Sequence, residues 1–132
     1  MPGKAYIKLK FIEENLKPEE VTQLIGLQPT IAAKKGEVIP SGRKFPIDEG
    51  TWIYKHDINE IPWNVGNAIS ELLPLLESKP KLLQFCLDNN VYLEFSVILY
   101  LEKDTPIITL EPSLLKRIAA INATIDFDMY IF

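Results

Sequence analysis

The sequence predicts a single two-layer α+β domain over residues 1–132, with helices packed on one face of a mainly antiparallel sheet. Three observations carry that prediction. Several stretches alternate apolar and polar residues with the period of a strand. Between them, apolar residues recur at helical spacing. Most of the ten prolines fall at the boundaries of these stretches. The implied order is β-α-β-β-α-β-α-β, in which strands adjoin only at one weak hairpin, so helices and sheet segregate into layers.

The first strand, residues 5–13, sets Ile7, Leu9 and Phe11 on one face and Tyr6, Lys8 and Lys10 on the other. Pro18 suits a first helical position because its missing N–H would be unpaired there anyway. Glu19 and Glu20 then fall in the first turn, where the helix dipole favours them, and Leu16 and Val21 have the spacing of a hydrophobic staple. Gly26 supplies a left-handed stop, and Gln28-Pro29 forces extended backbone beyond it. From Thr30 to Gly50 turn signals dominate, with Val38 and Ile39 as a candidate short strand. Thr51 to Asp57 is a stronger one, with Trp52, Tyr54 and His56 on one side.

Ile61 to Asn90 reads as helical through Val65, Ile69, Leu72, Leu73 and Leu76, with a kink expected at Pro74 and a restart at Pro80. Pro62 is expected to open this run. The clearest strand is 91–102, where Val91, Leu93, Phe95, Val97, Leu99 and Leu101 oppose Tyr92, Glu94, Ser96, Ile98, Tyr100 and Glu102. Ile107 to Leu110 reads as a short extended piece. Pro112 opens a last helix through Ala120, and in the strand 123–132 Ile125, Phe127, Met129 and Ile131 oppose Asp126, Asp128, Tyr130 and Phe132.

A formal charge of −4 and a pI near 5.0 argue against a nucleic-acid partner, since that affinity rests on Lys and Arg neutralising phosphate. One cysteine, Cys86, and one histidine, His56, fall short of a four-ligand zinc set and leave no internal disulfide. No apolar run reaches the roughly 18 residues of a membrane span, and Met-Pro-Gly-Lys lacks the apolar core of a secretory signal. The expectation is a cytoplasmic protein with no membrane partner and no cofactor.

Several segments together resemble a bacterial family, the domain of unknown function 4279 (DUF4279). They are Leu16-Lys17-Pro18-Glu19-Glu20-Val21, Gly26-Leu27-Gln28-Pro29-Thr30, Gly36-Glu37, Trp52, and Leu114 through Tyr130 with its Ile125-Asp126-Phe127-Asp128-Met129-Tyr130 ending. The most specific pieces are the Gly-x-Gln-Pro-Thr turn and the closing Asp-x-Asp-x-Tyr strand. Neither is a catalytic signature. Lys17 departs from the pattern, which more often offers a capping Asp, and implies a weaker helix start. The resemblance covers nearly the whole chain and supports the fold while leaving function open.

Asp126 and Asp128 project from one strand face about 7 Å apart, a spacing a cation or an acid/base pair can use. Pairing with Lys8 and Lys10 across the sheet is the structural alternative. His56 is the only imidazole available as a base; its plainer role is a polar residue near a turn. Cys86 sits in an apolar helical stretch, where thiols are packed and inert. Lys34, Lys35, Arg43 and Lys44 form the one local basic cluster, without interleaved aromatics, and read as a solvated loop.

The alternating strands point to an outer sheet face made of Tyr6, Lys8, Lys10, Tyr92, Glu94, Tyr100, Asp126, Asp128 and Tyr130, with Trp52 as a further candidate. Tyrosine among mixed charges suits a binding surface, because it offers large contact area at small entropic cost. A merely solvated face, or one partly covered by the 30–50 loop, is the plainer reading. The leading expectation is therefore a binding domain acting through protein contacts, for example an immunity-type protein that neutralises a toxin. Two alternatives are a metal-assisted or hydrolytic enzyme using Asp126, Asp128 and His56, and a self-associating module; the sequence favours a protein that is not an enzyme over one that is.

Overall fold

Strand β1 (Lys4–Glu13) lies at the middle of a five-stranded sheet of order β2-β3-β1-β4-β5. The computed structural model describes residues 4–39, 46–103 and 105–131. The other strands are β2 (Ile31–Ala33), β3 (Gly50–Asp57), β4 (Tyr92–Leu101) and β5 (Ala123–Ile131). The helices are α1 (Pro18–Ile25), α2 (Val65–Glu77), α3 (Pro80–Asp88) and α4 (Pro112–Ala120). The expected α+β class and layering are present, and the sheet is mixed. β1 pairs antiparallel with β3 and β4, β2 pairs antiparallel with β3, and β4 pairs parallel with β5 through the α4 crossover.

Alternation decides the layers. Ile7, Leu9, Phe11, Trp52, Phe95 and Leu99 are fully buried and join Val21, Ile69, Leu72, Leu73, Leu76 and Leu82 from the helices in one core. The helices thus cover one face of the sheet. Pro18, Pro80 and Pro112 each stand at the start of a helix, where a missing N–H costs nothing. Gly26 ends α1 in the left-handed region at φ 75°, and Leu16 and Val21 are both buried as a staple requires. Lys17 makes no side-chain capping bond at the start of α1.

Two expectations need correction. The short strand is Ile31–Ala33 rather than Val38–Ile39, because Ile31 and Ala33 find partners in Ile53 and Thr51, whereas Val38 makes only an isolated bridge to Pro46. Pro62 does not open a helix: it follows Ile61 in a cis peptide, and α2 starts at Val65 under Asn64, whose side chain accepts the Asn67 N–H at 3.0 Å. In the Ile107–Leu110 piece, Ile107 forms one isolated bridge to Asn64. Pro74 is accommodated inside α2, which ends at Glu77 before α3 begins.

Candidate functional site

The face of the sheet turned away from the helices carries the second side-chain set of each strand. Across it, the register aligns Lys8 with Lys55 on β3 and Ser96 on β4, and Ser96 with Asp126 on β5. One step along, Lys10 lies beside Glu94, and in the other direction Tyr6 lies beside Ile98, which lies beside Asp128. At the end of the strands Tyr100 is beside Tyr130. The result is a charge division, broken on β3 by Asp57, which lies beside Tyr6 and pairs with Lys55 at 3.8 Å: Lys8, Lys10 and Lys55 on β1 and β3, with Glu94, Asp126 and Asp128 on β4 and β5.

Tyrosines bridge the two halves at one end. Tyr100 stacks on Tyr130 with centroids 4.8 Å apart, and Tyr6 lies tilted against Tyr100 at 6.4 Å. The Lys55 ammonium sits 4.4 Å from the centre of the Tyr6 ring, within cation–π range. The Tyr130 hydroxyl donates to Asp128 at 2.9 Å, a contact that holds the phenol proton and raises its pKa. Burial, reinforced by a hydrogen bond with Tyr100, pushes Tyr6 up to about 12. These phenols are therefore neutral, and the ladder presents ring faces and hydroxyls.

The charged groups are less well provided for. Lys8, Lys10, Glu94 and Asp126 make no ion pair or side-chain hydrogen bond with another described residue. Burial lowers the Lys8 pKa, and the neighbouring Lys10 and Lys55 lower it further. Glu94 is buried, which raises its carboxyl pKa; Lys10 opposes the rise and Asp126 adds to it. The expected pairing of Asp126 and Asp128 with Lys8 and Lys10 does not occur, because β4 runs between β1 and β5. Along β4, Ser96 and Ile98 are buried between the flanking side chains.

Trp52 does not belong to this face. It is paired in register with Phe11 on the helix side, fully buried, and its ring meets the Phe11 ring edge-on at 5.3 Å and 83°. Its indole N–H donates to the Thr22 hydroxyl at 3.0 Å, tying α1 to the sheet. Tyr92, also expected on the outer face, is there and exposed. In the described part of the 30–50 segment β2 pairs with β3 at the sheet edge, and Ala33 and Ile47 are buried outside the main core. Arg43 and Lys44 of the basic cluster lie outside the described residues.

His56 lies on the helix side, in register with Ile7, and so on the opposite face from Asp126 and Asp128. The three residues of the enzyme alternative do not converge. The imidazole Nε2 instead meets Glu71 of α2 at 3.0 Å, in a groove of about 240 Å³ lined also by Asp57, Asn59, Glu60 and Asn67. Glu71 carried no sequence signal, since periodicity does not say which strand a helix residue reaches. Cys86 is buried and its thiol is pushed up to about 11 by burial, which suits a packed thiol and not a nucleophile. Among the described residues no group of three or more His, Cys, Asp or Glu is placed to hold a metal ion. Among the described residues no helix is long and apolar enough to cross a membrane.

Together these features define an α+β domain whose sheet keeps one face for helices and leaves the other uncovered by the described elements, aromatic at one end and divided in charge. The chain belongs to the family described as a domain of unknown function, DUF4279, whose model matches residues 4–132. The comparisons with curated proteins and with solved structures each returned no match. The family-specific segments have structural places: Gly26 to Pro29 turns the chain out of α1 toward β2, and the Asp-x-Asp-x-Tyr stretch is β5 at the sheet edge.

Proposed function

We propose that this domain is a bacterial cytoplasmic binding module that acts by protein contact through the uncovered sheet face. The observation that carries the reading is the state of the charges there. Lys8 and Glu94 lose hydration without gaining ion-pair partners, beside a stacked tyrosine ladder that offers rigid contact area. A partner with the inverse charge division would supply the missing counter-charges and cover the rings. An immunity-type role is the concrete form: a basic toxin would be steered by the net charge of −4 and then docked on this face.

The test is capture from native cells with three baits: the unaltered chain, a Lys8→Glu/Lys10→Glu variant, and Glu71→Gln on the helix side. A protein recovered by the first and third baits and lost with the second supports the reading. Equal recovery by all three baits, with thermal melts showing all three folded, overturns it.

A further inference from the structure

We propose that the free edge of β5 is a strand-addition site for an extended segment bearing Lys or Arg at alternate positions. The two edges of the sheet are unequal. β2 has three residues, too few to template another strand, whereas β5 has nine and no partner on its far side among the described residues. Such an edge presents a row of N–H and C=O groups that water alone satisfies, and proteins normally blunt it with brevity, proline, lysine or a bulge. Charged side chains also blunt an edge, and of all these devices β5 has only its two aspartates, Asp126 and Asp128. Its sequence, Ala-Thr-Ile-Asp-Phe-Asp-Met-Tyr-Ile, holds no proline, glycine or lysine, and its register with β4 runs unbroken from Ala123 to Ile131. Met129 and Ile131 are exposed apolar residues on the same strand.

What the edge does carry is Asp126 and Asp128, two residues apart and both exposed. They select the occupant. In an antiparallel pair of two copies of β5 about a two-fold axis, each of the three registers that align at least seven of its nine residues sets Asp126 or Asp128 opposite an Asp of the other copy. Like charges directly opposed destabilise a ladder, so self-pairing is disfavoured. An incoming strand with cations at alternate positions reverses the sign, setting them beside Asp126 and Asp128 on the outer face. Its apolar residues then lie on the other face beside Phe127 and Met129. The inference goes beyond the face reading, since it needs the β5 backbone and the two aspartates, Asp128 keeping its bond from Tyr130, but none of the lysines.

The probe is an acetylated, amidated peptide, Thr-Val-Lys-Val-Lys-Val-Thr, titrated into the isotope-labelled full chain while amide exchange is followed by NMR. Expected is slowed exchange at alternate β5 amides, with a Glu-for-Lys peptide binding about tenfold or more weakly, as two reversed cross-strand pairs imply. Asp126→Lys/Asp128→Lys should invert that preference, and Asp126→Asn/Asp128→Asn, a milder change, should abolish it. Unaltered β5 exchange with the Lys peptide, or a preference that survives both double variants, overturns the inference. Peptide binding that persists in Lys8→Glu/Lys10→Glu separates this result from the fate of the sheet-face reading.

Discussion

On the helix side of the sheet, Phe11, Phe95 and Trp52 are fully buried, and the one polar group among them, the Trp52 indole N–H, has the Thr22 hydroxyl as partner. One residue away along the same strands, Lys10, Glu94 and Ser96 share the other side, and neither charge there has an ion-pair partner among described residues. Folding alone accounts for the first arrangement, because buried apolar area and a satisfied donor both stabilise. It does not account for the second, where removing the charges would leave a more stable sheet. A local choice that works against stability marks the part of a sequence kept for another purpose.

The strongest test of that contrast is Trp52→Ala. It empties the centre of the helix-side core and leaves the Thr22 hydroxyl without its donor, so a loss of about 3–5 kcal/mol in urea denaturation is expected. A loss below about 1 kcal/mol, the scale of a surface change, would break the contrast. Gly50→Ala comes next. A Cβ at Gly50 would lie 2.5 Å from the Leu16 carbonyl oxygen and 2.8 Å from its Cβ, contacts only a shift of backbone can relieve. An overpacking cost of about 1–3 kcal/mol is expected by the same measurement.

The sequence exposed most of this architecture because period two and period 3.6 say which residues share a side. β1, β3, β4, β5 and α4 were legible to within a residue or two for that reason. Periodicity does not say which element lies next door. The parallel pairing of β4 with β5, the interposition of β4 between the lysines and the aspartates, and the reach of Glu71 to His56 all depend on strand order and helix placement. Trp52 shows the same limit from the other side. Its phase with Tyr54 and His56 was plain, but only the register against Phe11 assigned that phase to the core. β2 escaped notice because a three-residue strand at an edge has too little alternation to register.

On the uncovered side the effects shrink. Tyr130 is exposed and stacks on Tyr100, so Tyr130→Ala should lower stability by no more than about 1 kcal/mol, the range of a cross-strand pair. If the face binds a protein, the same variant should weaken that complex far more than it weakens the fold, which calorimetric titration of the recovered partner would show. A stability loss as large as that of Trp52→Ala would mean that the ladder is a second core and not a contact surface.

Glu94→Gln should produce the smallest effect and the opposite sign. Burial raises the Glu94 carboxyl pKa in the folded chain, with Asp126 adding to the rise and Lys10 resisting it. An acid whose pKa is raised on folding binds more protons folded than unfolded across the window from the ordinary carboxylate range upward. Stability therefore falls as pH rises through that window, and at neutral pH the ionised Glu94 costs stability. Glutamine has similar shape and no charge, so the variant should denature at higher urea concentration than the unaltered chain at neutral pH. The advantage should vanish near about pH 3, where a carboxyl is protonated in both states. Denaturation midpoints of the two chains measured across pH check both parts. A variant less stable at neutral pH would show that the Glu94 carboxylate is already well served within the fold, removing one of the two charges on which the contrast between the faces rests.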